Sequence, residues 1–304
     1  MKRLNGLIAA TYTPTDESGN LELSIVPQVV EFLIQNGVRG LYVCGSTGEG
    51  MTLTSEERRA VAEAYTQACN HRIPVIVQVG HNSIRESMQL AQHAQEIGAD
   101  AVSATCPSYF KIGNVNALIE TMKPIADSAR DLPFYYYHIP MLTGSAMDIV
   151  EFMRDASKVL PNLTGLKYTD TKLHEFQICK EMNDGQFDVV WGCDEMLLGA
   201  LATGARAAIG STYNVAAGLN NELIRAFTDG DLELARRKQS QSIEFIRTMY
   251  DYPFHSAMKH LLSLGGMAMG SCRLPQMGLS SSDKANLEHK LEQIGFFEWS
   301  DIQR

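Results

Sequence analysis

Cysteine pairs, nucleotide-binding loops, an excess of basic residues and long apolar runs are all missing from this sequence of 304 residues. Its six cysteines (Cys44, Cys69, Cys106, Cys179, Cys193 and Cys272) form no C-x-x-C pair and share no regular spacing. That argues against a disulfide framework or a structural zinc site, and for free thiols in a reducing compartment. The 26 Lys and Arg are outnumbered by 35 Asp and Glu, giving a formal charge of -9. A nucleic-acid partner, which needs basic residues massed on one face, is therefore not expected. No stretch approaches the roughly 20 apolar residues that cross a bilayer. The opening MKRLNGLIAATYTPTDESG is interrupted by Pro14 and Asp16 before a leader-like run develops. It reads as a first buried strand, and a cytoplasmic location is the expectation. The histidines are dispersed, and His255 and His260 lack the i, i+4 spacing of a helical metal pair, so no metal is expected.

What the sequence does contain is a soluble composition, 45% hydrophobic and 20% charged, on a chain long enough for one large α/β domain. Eight short apolar or β-rich runs recur: GLIAATYT at 6–13, GLYVCG at 40–45, PVIVQVG at 74–80, DAVSATC at 100–106, PFYYYHI at 133–139, LTGLKYT at 163–169, FDVVWG at 187–192 and ARAAIGS at 205–211. Continuous runs of this kind are the mark of strands buried on both faces in a parallel sheet. Helical patterns separate them, with legible starts at Thr54 followed by Glu57 and at Ser83 followed by Glu86, and stops at Gly37 and Gly98. Strand and helix in alternation allow a closed (β/α)8 barrel or an open doubly wound sheet. The segment CGSTGEG has neither the G-x-G-x-x-G spacing nor the ribose-binding acid that the open nucleotide-binding sheet would carry, and a P-loop is also absent. The expectation is a TIM (β/α)8 barrel over residues 1–218, with residues 219–304 as a C-terminal helical extension packed on it.

In such a barrel the chemistry sits at the carboxyl ends of the strands. Ser46 and Thr47 follow strand two, Tyr109 follows strand four, and Tyr137 and His138 end strand five. Lys167 lies on strand six with Thr169 and Asp170 beyond it; Asp194 and Glu195 follow strand seven; Ser211 and Thr212 follow strand eight. An amine held out of water at Lys167 would lose its proton easily and attack a carbonyl carbon. A strand-end lysine more commonly snorkels to solvent, so position alone leaves both readings open. Tyr137 is a candidate proton shuttle whose phenol a neighbouring cationic imine would acidify, although aromatic runs such as FYYYH are mostly packing. Strand phase places Tyr135 and Tyr137 on one face and Tyr136 on the other. Ser46 and Thr47, between glycines, offer hydroxyl and backbone donors to a carboxylate, as an ordinary turn would also do. Asp194 and Glu195 suit a hydroxylated substrate or, equally, a helix start. His81 and His138 read as structural rather than catalytic.

Taken together and in order, GSTGE, YYYHIP, GLKYTD, GCDE and GSTYN resemble the pyruvate-dependent class I aldolases, the family of N-acetylneuraminate lyase and dihydrodipicolinate synthase. Ser46, the stretch YYYHIPMLTG without an arginine after its proline, and GSTYN are most similar to the lyase branch. The resemblance implies Lys167 as the Schiff-base lysine, Tyr137 as the proton-shuttling phenol, and Ser46 and Thr47 as the grip on a pyruvoyl carboxylate. It assigns Thr169, Gly192, Asp194, Glu195 and Ser211 to the sugar chain, and Tyr109 to a neighbouring subunit's site. It further implies reversible cleavage of a 2-keto sugar acid to pyruvate and an aldehyde sugar, no cofactor, and a homotetramer. Cys193 and His138 depart from parts of the family pattern.

Overall fold

In the computed structural model, which describes residues 3–302, all eight expected strands form and close into one parallel barrel in sequence order. They are β1 Gly6–Ala10, β2 Gly40–Val43, β3 Val75–Gln78, β4 Ala101–Ala104, β5 Phe134–His138, β6 Leu163–Tyr168, β7 Asp188–Trp191 and β8 Ala207–Gly210. Each is shorter than its apolar run, because the run continues past the last ladder pair into the loop that carries the chemistry. The intervening helices are α1 Val26–Gln35, α2 Ser55–Cys69, α3 Ile84–Glu96, α4 Val115–Asp127, the single turn α5 Pro140–Thr143, α6 Ile149–Ala156, α7 Leu173–Gly185, α8 Leu197–Ala202 and α9 Ala217–Thr228. Thr54 caps α2 in a reciprocal capping box with Glu57, and Ser83 accepts from the backbone of Glu86 at the start of α3. The helical geometry of α7 breaks at Met182, Asn183 and Asp184.

The sequence boundary at 218 and 219 falls inside the first turn of α9, which packs on β1 and completes the ring as its eighth helix. Beyond it come α10 Leu232–Met249, α11 Phe254–Leu264, α12 Ser281–Gln293 and the turn α13 Phe296–Trp299. Asp301 returns from the chain's end to accept from the backbone amides of Ala217 and Gly218, capping α9. Among the described residues no helix is long and apolar enough to cross a membrane.

Side chains alternate along the strands, as the period of two requires, with one interruption on β6. Ile8, Ala10, Tyr42, Ile76, Tyr135, Tyr137, Val190 and Ile209 fill the barrel interior, while Leu41, Val43, Val102, Phe134, Tyr136, Leu166, Tyr168 and Trp191 pack outward against the helices. The expected split of Tyr135 and Tyr137 from Tyr136 is therefore observed. One irregularity sets the phase of the sixth strand. Phe134 pairs with Leu163 but Tyr135 pairs with Gly165, leaving Thr164 as an extra residue on β6. Strict alternation from the outward-facing Leu163 would have aimed Gly165 and Lys167 at the helices. The bulge reverses the phase, and Lys167 enters the interior opposite Tyr137.

Candidate active site

At the carboxyl end of the barrel lies a cavity of about 300 Å³ whose lining includes Lys167 and Tyr137. Lys167 is only 4% exposed, and among the described residues no carboxylate lies within ion-pairing distance of it. Its Nζ sits 3.9 Å from the ring centroids of both Tyr42 and Tyr137. Burial drives its pKa down from the usual lysine value to about 7, with the charge of Asp194 opposing the shift. The amine is thus dry and partly neutral near neutral pH, which decides between the two readings left open by position.

Tyr137 is expected to be acidified only beside a cationic imine, and without one its phenol is not acidic. Burial pushes its pKa up to about 12, and the hydroxyls of Ser46 and Thr169 offset only part of that rise. Acidification needs a cation beside the ring, and the resting amine supplies little of one. Tyr137 is a neutral phenol in the substrate-free protein.

The carboxylate-binding candidates lie on a tight loop after β2. The Glu49 amide donates to the Ser46 carbonyl at 3.1 Å and the Gly50 amide to the Gly45 carbonyl at 3.1 Å, while the Thr13 hydroxyl clamps the Gly48 carbonyl at 2.6 Å. Cys44 and Glu49 adopt left-handed backbone angles, φ 59° and 56°, that non-glycine residues hold only when their surroundings enforce them. Enforcement at Glu49 comes from the C-terminal extension. Its carboxylate pairs with Lys259 of α11 at 2.8 Å and accepts from the Arg273 amide at 2.9 Å. Ser46 and Thr47 are held at the cavity by this frame.

Thr169, Gly192, Asp194, Glu195 and Ser211 also reach the cavity. A side chain at Gly192 would overlap the Thr169 hydroxyl, so only glycine lets the ends of β6 and β7 approach. Asp194 is buried and turned towards β8, accepting from the Thr212 amide at 2.9 Å and its hydroxyl at 2.6 Å. Burial raises its pKa to about 6 against those hydrogen bonds. Glu195 is exposed at the rim.

Tyr109 is not brought to this cavity. It is 77% exposed on the loop after β4, stacked edge-on against Phe110 at 5.0 Å. The two histidines do not line it either. His81 caps a turn by accepting from the Ser83 amide, and His138 is buried behind the wall, stacked on Tyr168. Burial lowers the pKa of His138 to about 4, so it is neutral. His138, Asp170 and Glu175 come within 4.8 Å of one another, a spacing that could hold an ion. Lys172 instead places its ammonium 3.6 Å from Asp170 and 3.2 Å from Glu175, so the cluster already holds its own cation.

Three residues that the sequence did not single out complete the cavity: Ile246 and Tyr250 at the end of α10, and Phe254 at the start of α11. Their segment carried a helical apolar pattern indistinguishable from ordinary packing. The extension is therefore a wall of the site as well as a buttress of the barrel.

A (β/α)8 barrel whose sixth strand presents a dry amine beside a phenol is built like a carbonyl-condensing lyase of the imine-forming class. The comparisons with known proteins agree. Residues 3–294 match the dihydrodipicolinate synthetase family, and the chain belongs to that family. It is 41% identical to the N-acetylneuraminate lyase of Xenopus tropicalis over 286 residues, covering 93% of each chain. Against the human N-acetylneuraminate lyase the identity is 39%, over 99% of this chain and 96% of the relative. The solved N-acetylneuraminate lyase (sialic acid aldolase) of Aliivibrio salmonicida superposes with a TM-score of 0.94 at 42% identity, covering 97% of this chain and 98% of that one.

Proposed function

We propose that this protein is a Schiff-base aldolase that reversibly cleaves N-acetylneuraminate to N-acetylmannosamine and pyruvate. The observation that carries the reading is the desolvated Lys167 amine, in register with Tyr137 at a cavity walled by hydroxyls and carboxylates. Lys167 attacks the C2 ketone of the open-chain sugar acid; the ketone oxygen leaves as water and a protonated imine forms. Ser46 and Thr47 with their loop amides bind the neighbouring carboxylate. Thr169, Asp194, Glu195, Ser211 and the backbone at Gly192 hold the hydroxylated chain.

Tyr137 then takes the proton of the C4 hydroxyl while passing its own to the substrate carboxylate. The phenol receives one proton as it gives up the other, so no free phenoxide is released, and the imine cation beside the ring lowers its pKa from the resting value of about 12. The C3–C4 bond breaks, its electrons flow into the imine, and the resulting enamine is protonated at C3 and hydrolysed to pyruvate. The imine is the electron sink, and the reaction as written draws on no metal or organic cofactor. We place the enzyme in the cytoplasm as a homotetramer in which Tyr109 reaches a neighbouring subunit's site, a reading supported by the exposure of Tyr109.

The test is borohydride reduction in the presence of pyruvate, followed by peptide mapping, together with pyruvate release from two substrates. The expected adduct is on Lys167, and release from N-acetylneuraminate is expected to exceed greatly that from 2-keto-3-deoxygluconate. An adduct on another lysine would remove the mechanism. The opposite substrate ranking would transfer the protein to another aldolase branch of the family.

A further inference from the structure

Tyr42 lies beneath the cavity rather than in it, and neither the carboxylate grip nor the proton shuttle uses it. Its ring face nonetheless points at the reacting nitrogen, with Lys167 Nζ 3.9 Å from its centroid. Tyr137 presents a second face at 3.9 Å, and the two rings meet edge to face, 83° apart with centroids at 5.7 Å. The amine thus occupies the corner between two aromatic faces at the base of the cavity.

Tyr42 is held there from three sides. Its hydroxyl donates to Ser103 Oγ of β4 at 3.0 Å. Its ring edge occupies the space a side chain at Gly45 would need, 2.7 Å from Cε1. Its neighbours on β2 point outward into the helix layer, so the strand cannot rotate to release it. The phenol is fully buried and its pKa raised well above the ordinary value by that burial, so the ring stays neutral at every working pH.

We propose that the face of Tyr42 acts electrostatically on the catalytic nitrogen, stabilising the cationic imine that Lys167 forms with a 2-keto acid. The inference rests on the aldolase reading for the imine, while the interaction with the amine itself stands on geometry alone. An aromatic face is negative at its centre and attracts a desolvated cation. Forming the imine turns a partly neutral amine into a fixed cation in a site where, among the described residues, no protein carboxylate lies at contact distance and the substrate's own carboxylate is engaged by Ser46 and Thr47. The rings supply the countering field, and they are neutral, so they do not capture the nitrogen in an ion pair. The ionisable groups facing the nitrogen are the phenols of Tyr42 on β2 and Tyr137 on β5, with Asp194 and the Cys193 thiol beyond β7.

The experiment replaces Tyr42 in three ways: Tyr42→Phe, Tyr42→Leu, and 3,4,5-trifluorophenylalanine in place of Tyr42, which keeps the shape of the Phe variant and weakens the negative face. Two quantities are read on each folded variant. One is the pyruvate concentration giving half-maximal borohydride trapping at Lys167. The other is the pH midpoint for acetylation of Lys167 by acetic anhydride without any keto acid. Tyr42→Phe keeps the ring face and loses the hydroxyl's bond to Ser103, so it is the reference against which the other two variants are read. The fluorinated ring and Tyr42→Leu are expected to raise the half-trapping concentration by about tenfold and to move the acetylation midpoint to lower pH, because the ammonium also loses its aromatic face. An unchanged midpoint in the fluorinated variant overturns the proposal even if Tyr42→Leu traps weakly, since the ring shape lost with leucine would alone do that. Should the wild type trap no pyruvate at Lys167, the aldolase reading fails while the acetylation midpoints still decide the role of the ring.

Discussion

Among the described residues two lysines are buried, and their surroundings are opposite. Lys259 on α11 lies 2.8 Å from Glu49 and 3.2 Å from the Ser271 carbonyl, two polar partners at close range. Lys167 on β6 faces two aromatic rings, and Asp194, the nearest influence of opposite charge, is occupied with Thr212. Burial is common to both, so burial does not make a nucleophile. The partner differs: a carboxylate at contact distance holds one amine in an ion pair, whereas the other meets neutral π faces that attract a cation more weakly than burial disfavours it. The Glu49 that the first lysine holds belongs to the loop that carries Ser46 and Thr47; the second, on the proposed mechanism, carries the bond-making nitrogen.

Replacement of each lysine by methionine separates the roles most sharply. Lys167→Met is expected to lower aldol cleavage by on the order of 10⁴-fold or more, with the unfolding midpoint in urea little changed or raised, since a costly buried amine is removed. Lys259→Met leaves the Glu49 carboxylate buried and unpaired and is expected to destabilise the fold by about 3–5 kcal/mol, read by urea unfolding. Adding Glu49→Gln should restore much of that loss; no recovery would show that the pair is not what holds the loop. Tyr137→Phe is next in size, with turnover down by about 10²-fold or more while pyruvate is still trapped on Lys167. Intact turnover would remove the phenol from the shuttle.

The pH dependence is the gentlest probe. With the Lys167 pKa lowered to about 7, the attacking species is the deprotonated amine. The initial trapping rate at low pyruvate should therefore level off above neutrality and fall about tenfold per pH unit well below it. A rate still climbing towards pH 10 would mean an ordinary, solvated lysine and would erase the contrast with Lys259.

Much of the fold was legible because a parallel barrel writes itself as a repeat. Each strand is buried on both faces and so reads as an unbroken apolar run, and each helix of the ring needs its own caps, as at Thr54 and Ser83. Strand ends then pointed to Lys167, Tyr137, Ser46, Asp194 and Ser211, all of which line the cavity. Less legible were features made by packing across long separations. The bulge at Thr164 leaves no signature in LTGLKYT, yet it alone aims Lys167 inward. Ile246, Tyr250 and Phe254 reach the cavity because α10 and α11 fold back over the barrel mouth, and their helical spacing looked like ordinary packing. Tyr109 was marked by resemblance, and within one chain it stands in solvent.

The amino-acid order by itself determined that eight strands alternate with helices, that one lysine and one tyrosine end adjacent strands, and that glycines and hydroxyls gather after β2. Those are local properties, set by side-chain periodicity, capping and turn chemistry. Only the tertiary structure decided that Lys167 is dry and Lys259 paired, that Tyr137 begins as a neutral phenol, and that Tyr42 turns its face to the reacting nitrogen. Desolvation and charge partnership are properties of what surrounds an atom, and those surroundings come from residues far away in the chain.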